Sequence, residues 1–188
     1  NRISPEAPVP VVDVRTKESR LGGAANVVKN LLAVGADVHL ATVIGDDSAG
    51  NTIESLLTTL SVGSSAVLRS ADRPTTVKTR IISNGQQLVR VDEEVTEDIS
   101  PSLEHELIAR CKRLLESKKP DVVIFEDYDK GVLTDRVIKV LIAAANAQGI
   151  KTTVDPKFAH FSSYHGVTLF KPNLKELGEG MAMAIEKT

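Results

Sequence analysis

With 188 residues, 41% of them hydrophobic and 26% charged, the chain is long enough to bury a core and too apolar to stay disordered. A net charge of −2 argues against a general binder of nucleic acid or of anionic membranes. No apolar run approaches the ~20 residues of a membrane span, no signal-peptide pattern opens the sequence, and the single cysteine, Cys111, excludes an internal disulfide. His39, His105, His160 and His165 lack metal-ligand spacing, so zinc is not expected, and the expected address is the cytoplasm.

Val9–Val14 (VPVVDV) reads as a short strand. In the stretch ESRLGGAANVVKNLLAVGADVHLATVIGDD (Glu18–Asp47), apolar Ala24, Val27, Val28, Leu31 and Leu32 recur at helical spacing. They predict a helix from about Ala24 to Val34 that stops at Gly35. Gly22 and Gly23 stand directly before it, although each glycine inside a regular element costs ~1 kcal/mol. Such a pair marks a sharp bend or a close approach of a ligand to the backbone, and Asn26 adds a donor and an acceptor one turn further on. A helix start with no ligand would use the same residues.

Asp37–Gly45 (DVHLATVIG) predicts a mostly buried strand, and Ile53, Leu56, Leu57 and Leu60 form the apolar face of a second helix. The period then changes to two. Thr75–Glu94 (TTVKTRIISNGQQLVRVDEE) predicts a hairpin closed by a type I′ turn at Asn84–Gly85. With Ser83 opposite Gln86 and an unbroken ladder, Lys78, Arg80, Ile82, Gln87, Val89 and Val91 share one face. Thr79, Ile81, Leu88, Arg90 and Asp92 then share the other. Charge and apolar surface on both faces suggest a ribbon that meets a partner on one side and a polar ligand on the other. It reads as an insertion at one edge and not as a second domain.

A helix is expected around Leu103–Leu115, holding Cys111. The strand in DVVIFEDYDKG (Asp121–Gly131) ends in acids, and the next helix runs from a cap at Thr134 or Asp135 to Gln148, stopped by Gly149. Ile150–Lys157 and Val167–Glu176 supply two more strands with polar ends. This alternation predicts an α/β fold with a mostly parallel sheet, in which ligands bind beyond the carboxyl ends of the strands. Asp46, Asp127, Asp155, Asn173 and Glu176 gather at those ends. Asp127 and Lys130 are candidates for the ligand crevice, although a strand-end acid is often only solvated and Asp155–Pro156 can be a simple turn. Asn173 and Glu176, three apart after a strand, suit the water shell of Mg²⁺.

Together, LGGAANVVKNLLAVGADVHLATVIGDDSAG, DYDKGVLT, DPK and KPNLKE resemble the ribokinase-like (PfkB) sugar kinases. RISPEAPVPVVDV and the hairpin resemble more closely those that act on D-glycero-D-manno-heptose 7-phosphate on the way to the ADP-heptose of lipopolysaccharide. The resemblance covers Asn1 to Glu176. It implies a three-layer αβα domain with a small β lid, whose strands fall at about 8–20 and 66–92, and a homodimer formed through that lid. It implies ATP and Mg²⁺ and transfer of the γ-phosphoryl group to the anomeric oxygen of the heptose. By the same likeness Gly22, Gly23 and Asn26 hold the sugar, with Asp127 and Lys130 beside it. Lys78, Arg80 and Gln87 take the 7-phosphate, although Lys78 and Arg80 can equally be a solvated lid face. Asn173, Glu176, Asp155 and Lys157 face ATP, with Glu176 reaching Mg²⁺ through water.

Two family features lie outside these residues: a first strand, expected before Asn1, and the G-A-G-D motif whose aspartate is the general base. The domain is therefore expected to be incomplete and its catalytic residue unassigned. Leu177–Thr188 (LGEGMAMAIEKT) resembles a later strand of the family, which places a missing segment between Glu176 and Leu177. Another sugar substrate within the family is the nearest alternative. A non-catalytic sugar-binding, nucleotide-binding or dimerisation fragment is the alternative from a different class. No trace of a fused nucleotidyltransferase domain is visible.

Overall fold

The computed structural model describes residues 2–182. It opens with a small antiparallel ribbon of β1 (Arg2–Ile3) and β2 (Pro10–Val11). The strand expected over Val9–Val14 shrinks to β2, because Pro8 and Pro10 lack the N–H groups a longer ladder needs. Residues 12–22 then run without regular structure.

The first βαβ unit is α1 (Ala24–Ala33), β3 (His39–Gly45), α2 (Ser48–Thr59) and β4 (Gly63–Ser70), with β3 and β4 parallel. After the hairpin of β5 (Val77–Ser83) and β6 (Gln86–Glu93) come α3 (Pro101–Lys118), β7 (Val122–Glu126), α4 (Asp135–Ala147), β8 (Lys151–Asp155), β9 (Leu169–Phe170) and α5 (Leu174–Gly180). Strands β7, β8 and β9 form a parallel sheet in that order. Side chains cap the long helices: Asp47 for α2, Ser100 for α3 with Pro101 behind it, and Thr134 for α4. Gly149, at φ 71°, closes α4.

The layering follows from strand alternation. In β3, Leu40 and Ile44 pack with Val28 of α1 and Leu57 of α2, whereas Val43 packs with Leu107 and Ile108 of α3. Val67 and Leu68 of β4 divide in the same way, since consecutive strand residues face opposite sides. Helices therefore cover both faces of β3 and β4. The second core continues through Phe125, Val137, Ile138, Leu141 and Val154.

Two expectations are corrected. The lid was expected to begin near residue 66, but residues 63–70 are β4, which pairs in parallel with β3. Its polar start, Gly63–Ser65, masks a strand whose middle residues Ala66, Val67 and Leu68 are buried. The expectation of a strand from Leu177 fails over Leu177–Gly180, which is helical, with Leu177 N donating to the Asn173 carbonyl at 2.9 Å. The remainder of that stretch, residues 183–188, lies outside the described residues.

Among the described residues β3 pairs only with β4 and β7 only with β8, so each keeps an unpaired edge. Both strands border one groove of about 2960 Å³, whose wall includes Leu40, Val43, Val123, Phe125, Val28 and Leu115.

Candidate active site

The di-glycine turn forms one wall of this groove. Gly23, at φ 53° and ψ −137°, is the N-cap of α1 and supplies no side-chain cap. That backbone conformation favours glycine at position 23, whereas Gly22 has neither a positive φ nor any atom within 4 Å of where a Cβ would stand. The bonds from Ala25 N to Gly22 O (3.1 Å) and from Asn26 N to Gly23 O (3.0 Å) tie the turn to the helix. Tyr128 lies against Gly23, its ring 3.6 Å from where a Cβ would stand. Asn26 is exposed and is not among the groove-lining residues.

The lid differs from its expected register. Ser83 faces Gln86 and Ile82 faces Gln87, but Ile81 faces Val89, leaving Leu88 as an extra residue. Beyond this bulge Arg80 stands opposite Arg90, and Lys78 opposite Asp92. The expected mixture on both faces is therefore replaced by segregation. Lys78, Arg80, Ile82, Gln87, Arg90 and Asp92 share one face, while Val77, Thr79, Ile81, Val89, Val91 and Glu93 share the other. Lys78, Arg80 and Arg90 border the groove, and Gln87, near the turn, does not.

The lid cations have acidic neighbours. Lys78 Nζ donates to Asp92 at 3.1 Å and Glu94 at 2.8 Å, Lys130 Nζ reaches the other Glu94 oxygen at 2.9 Å, and Arg90 pairs with Asp92 at 3.0 Å. Arg80 is exposed and donates to the Lys78 carbonyl at 3.4 Å. Hydrogen bonds from Lys78 and then Lys130 draw the Glu94 carboxyl from 4.5 down to about 2. A depressed folded value means that this contribution to stability is complete above pH 4.5 and is lost as pH falls through about 2. Side-chain carboxyl NMR should place the Glu94 midpoint near 2. A midpoint at an ordinary glutamate value would show that the lysines do not hold it.

Both stems of the lid are fastened below. The buried Thr75, just before β5, gives its N–H to Asp47 Oδ2 at 2.7 Å and its hydroxyl to Asp47 Oδ1 at 2.8 Å, while Gly45 N donates to its Oγ1 at 2.8 Å. Arg73 donates to the Lys130 carbonyl. Ile99, after β6, donates to the Gly131 carbonyl at 2.9 Å. The turn from Asp127 to Gly131 thus anchors the lid. Asp127 itself is only 4% exposed, and its carboxylate accepts from Tyr164 OH at 2.7 Å and Asp129 N at 2.9 Å. Its geometry is that of a turn anchor at the groove wall.

A second cluster lies at the ends of β7 and β8. Glu126 stands opposite Asp155, and burial followed by the Asp155 charge raises its carboxyl above the ordinary range. Lys157 pairs with Glu176 and, at 3.5 Å, with Asp155; Lys171 lies 3.7 Å from Asp155. Asn173 and Glu176 form a capping box at the start of α5: Glu176 N donates to the Asn173 side chain at 2.9 Å, and Asn173 N to Glu176 Oε2 at 2.8 Å. Burial opposes the Glu176 charge, but the bonds from Lys157 and Asn173 N outweigh it and hold the carboxyl below its ordinary value. For Mg²⁺, direct ligation does not fit, since no three acids or histidines converge among the described residues and both Glu176 oxygens are engaged. Contact through water at Glu176 does fit. Lys157 and Lys171 offer cations to an anionic ligand.

The cluster brings together Asp155, Lys157, Asn173 and Glu176. Gly22, Gly23, Lys78, Arg80, Asp127 and Lys130 all border the groove. Sequence reasoning missed Asp47, Arg73, Thr75, Glu94 and Tyr128. Asp47 was visible as an N-cap candidate before a helix; the other four reveal themselves only through contacts distant in sequence.

A family model described as pfkB family carbohydrate kinase matches residues 2–187. The chain is 42% identical over 188 residues to the "Bifunctional protein HldE" of Campylobacter curvus, covering 100% of the chain and 39% of the relative. It is 45% identical over 179 residues to the protein of the same name from a Caulobacter species, covering 95% and 36%. The chain thus spans less than half the length of these relatives. Phosphofructokinase-2 from Escherichia coli superposes with a TM-score of 0.69 at 20% identity, over 88% of this chain and 54% of that one. The 2-dehydro-3-deoxygluconokinase of Thermotoga maritima gives 0.69 at 16%, with the same coverages. These likenesses establish the ribokinase-like α/β fold. Among the described residues no helix is long and apolar enough to cross a membrane.

Proposed function

The chain belongs to the pfkB family of carbohydrate kinases, and from that premise we propose that it is kinase sequence acting on D-glycero-D-manno-heptose 7-phosphate at the anomeric oxygen. The observation that carries this reading is the lid bulge, which turns Lys78, Arg80 and Arg90 to one face beside the groove bordered by Gly22 and Gly23. An unphosphorylated sugar needs no such cationic face.

In this reading the backbone of Gly22 and Gly23 meets sugar hydroxyls, with Asn26 nearby and Lys130 and Asp127 shaping the far wall. Lys78 and Arg80 hold the 7-phosphate, with Gln87 beside them, at the cost of displacing Lys78 from Asp92 and Glu94. ATP supplies the transferable phosphoryl group. Lys157 offsets phosphate charge, Asp155 and Asn173 keep Lys157 and Glu176 in place, and Glu176 orders the water around Mg²⁺. The arrangement serves positioning and charge neutralisation, the main demands of phosphoryl transfer. The general base is assigned to none of these residues.

The unpaired edges of β3 and β7 support an additional strand between them, as the family likeness implies. The apolar lid face, with Val89 45% and Val91 46% exposed, supports a homodimer formed through the lid. A cytoplasmic address suits nucleotide and sugar phosphate alike. Another sugar within the family is the second reading, favoured by the acids that already occupy Lys78.

The test is ADP release by the whole polypeptide with heptose 7-phosphate and with the unphosphorylated heptose. The sugar phosphate is expected to be preferred. Lys78→Ala with Arg80→Ala should raise its KM by about 100-fold, as two charge-assisted contacts imply, and leave slow turnover of the neutral sugar unchanged. Equal loss for both sugars would remove the lid from phosphate recognition.

A further inference from the structure

Gly23 holds a left-handed conformation at the start of a helix with no side-chain cap. Two adjacent glycines sample many conformations unless something outside the turn restrains them. The atoms nearest an ideal Cβ position on Gly23 are those of Tyr128, with Cε2, Cδ2 and Cζ at 3.6, 3.8 and 3.9 Å. The ring is 46% exposed, so it is not core filling. Its backbone is nevertheless rigidly mounted. Asp127, just before it, is fixed by Tyr164 and by Asp129 N, and Gly131 is wedged against the Glu97 backbone. The Tyr128 hydroxyl lies within electrostatic reach of Glu126, Asp155 and Lys157. One side chain therefore stands beside the di-glycine turn and feels the charges of the strand-end cluster.

We propose that Tyr128 is a positioning residue for the sugar site, its ring bracing Gly23 so that the turn and the first N–H groups of α1 keep one conformation. The brace removes an ordering cost that a bound ligand would otherwise bear. Its ligand rests on the sugar-kinase reading; the bracing contact does not. The ring supplies the contact, so phenylalanine substitutes and alanine does not.

The experiment compares Tyr128→Ala and Tyr128→Phe with wild type in the whole polypeptide, first by amide hydrogen exchange. In Tyr128→Ala the Ala25 and Asn26 amides, bonded to Gly22 and Gly23, should exchange roughly tenfold faster, while the β8 amides and the melting temperature stay unchanged. Tyr128→Phe should match wild type. In turnover, Tyr128→Ala should raise the sugar-phosphate KM about tenfold and leave kcat and the ATP KM within about twofold. Unchanged exchange at Ala25 and Asn26, or a Tyr128→Phe variant as impaired as Tyr128→Ala, would overturn the proposal. If wild type fails to phosphorylate any sugar phosphate, the sugar-kinase reading fails, and the exchange comparison still decides the brace.

Discussion

Replacing Gly131 by alanine is expected to destabilise the fold by on the order of 3–4 kcal/mol, whereas Gly149→Ala should cost about 1–2 kcal/mol. Both glycines have positive φ, 68° and 71°, so the conformational part of the cost is shared. Their surroundings differ. A Cβ on Gly149 meets nothing within 4 Å, but one on Gly131 would stand 1.9 Å from the Glu97 carbonyl oxygen and 2.8 Å from Asp98 Cα. Those atoms are backbone, so relief requires moving the second stem of the lid and straining the bond from Ile99 N to the Gly131 carbonyl. Urea denaturation of the two variants isolates the steric difference. Equal, small losses would mean that the stem yields freely.

The consequence reaches beyond stability. A two-stranded hairpin is marginal by itself, and the residues of β6 are all exposed. What seats the lid is the set of contacts at its base: Asp47 to Thr75, Arg73 to Lys130 O, Lys130 and Lys78 to Glu94, and Ile99 to Gly131. Three of these involve Lys130 or Gly131. The DYDKG stretch, read from sequence as placing Asp127 and Lys130 at the ligand crevice, acts structurally as the clasp between the second core and the lid.

Much of the fold was legible because its signals are local. Periodicity located α1 and α2, Thr134 capped α4, and Gly35, Asn84, Gly85 and Gly149 all adopt the positive φ their positions demanded. The misses were non-local. β4 hides behind Gly63–Ser65 because only its contact with β3 reveals it. The lid bulge had a readable trace: charged residues recur at every second position in each strand, at Lys78 and Arg80 and at Arg90 and Asp92. A plain register sets these pairs on opposite faces, and one extra residue reunites them. Asn173 and Glu176 show the opposite hazard. Their spacing was read as chemistry, yet the same spacing builds a capping box, and a water-mediated contact with Mg²⁺ is compatible with that box because the carboxylate has more lone pairs than the bonds from Asn173 N and Lys157 occupy.

Asp47→Ala should cost about 3 kcal/mol, and its signature should appear in the lid. Asp47 caps α2 through Gly50 N at 2.7 Å, a contact worth about 1 kcal/mol. It also takes both the N–H and the hydroxyl of Thr75, which is 3% exposed and so has no water to replace them; leaving such donors unsatisfied adds about 1–3 kcal/mol. Bonds from Thr75 N and then Gly50 N hold the Asp47 carboxyl below its ordinary 3.8, so wild type keeps this contribution above that pH and loses it as pH falls below. Asp47→Asn, which retains an acceptor for Gly50 N but turns an amide towards Thr75, should fall between. Amide exchange separates a local cap from a lid anchor: faster exchange across β5 and β6, with β7 and β8 unaffected, is the expected pattern for Asp47→Ala. If only the first turn of α2 frays, the lid is held by the contacts of Arg73, Glu94 and Gly131, and Asp47 has no part in presenting Lys78 and Arg80 to the groove.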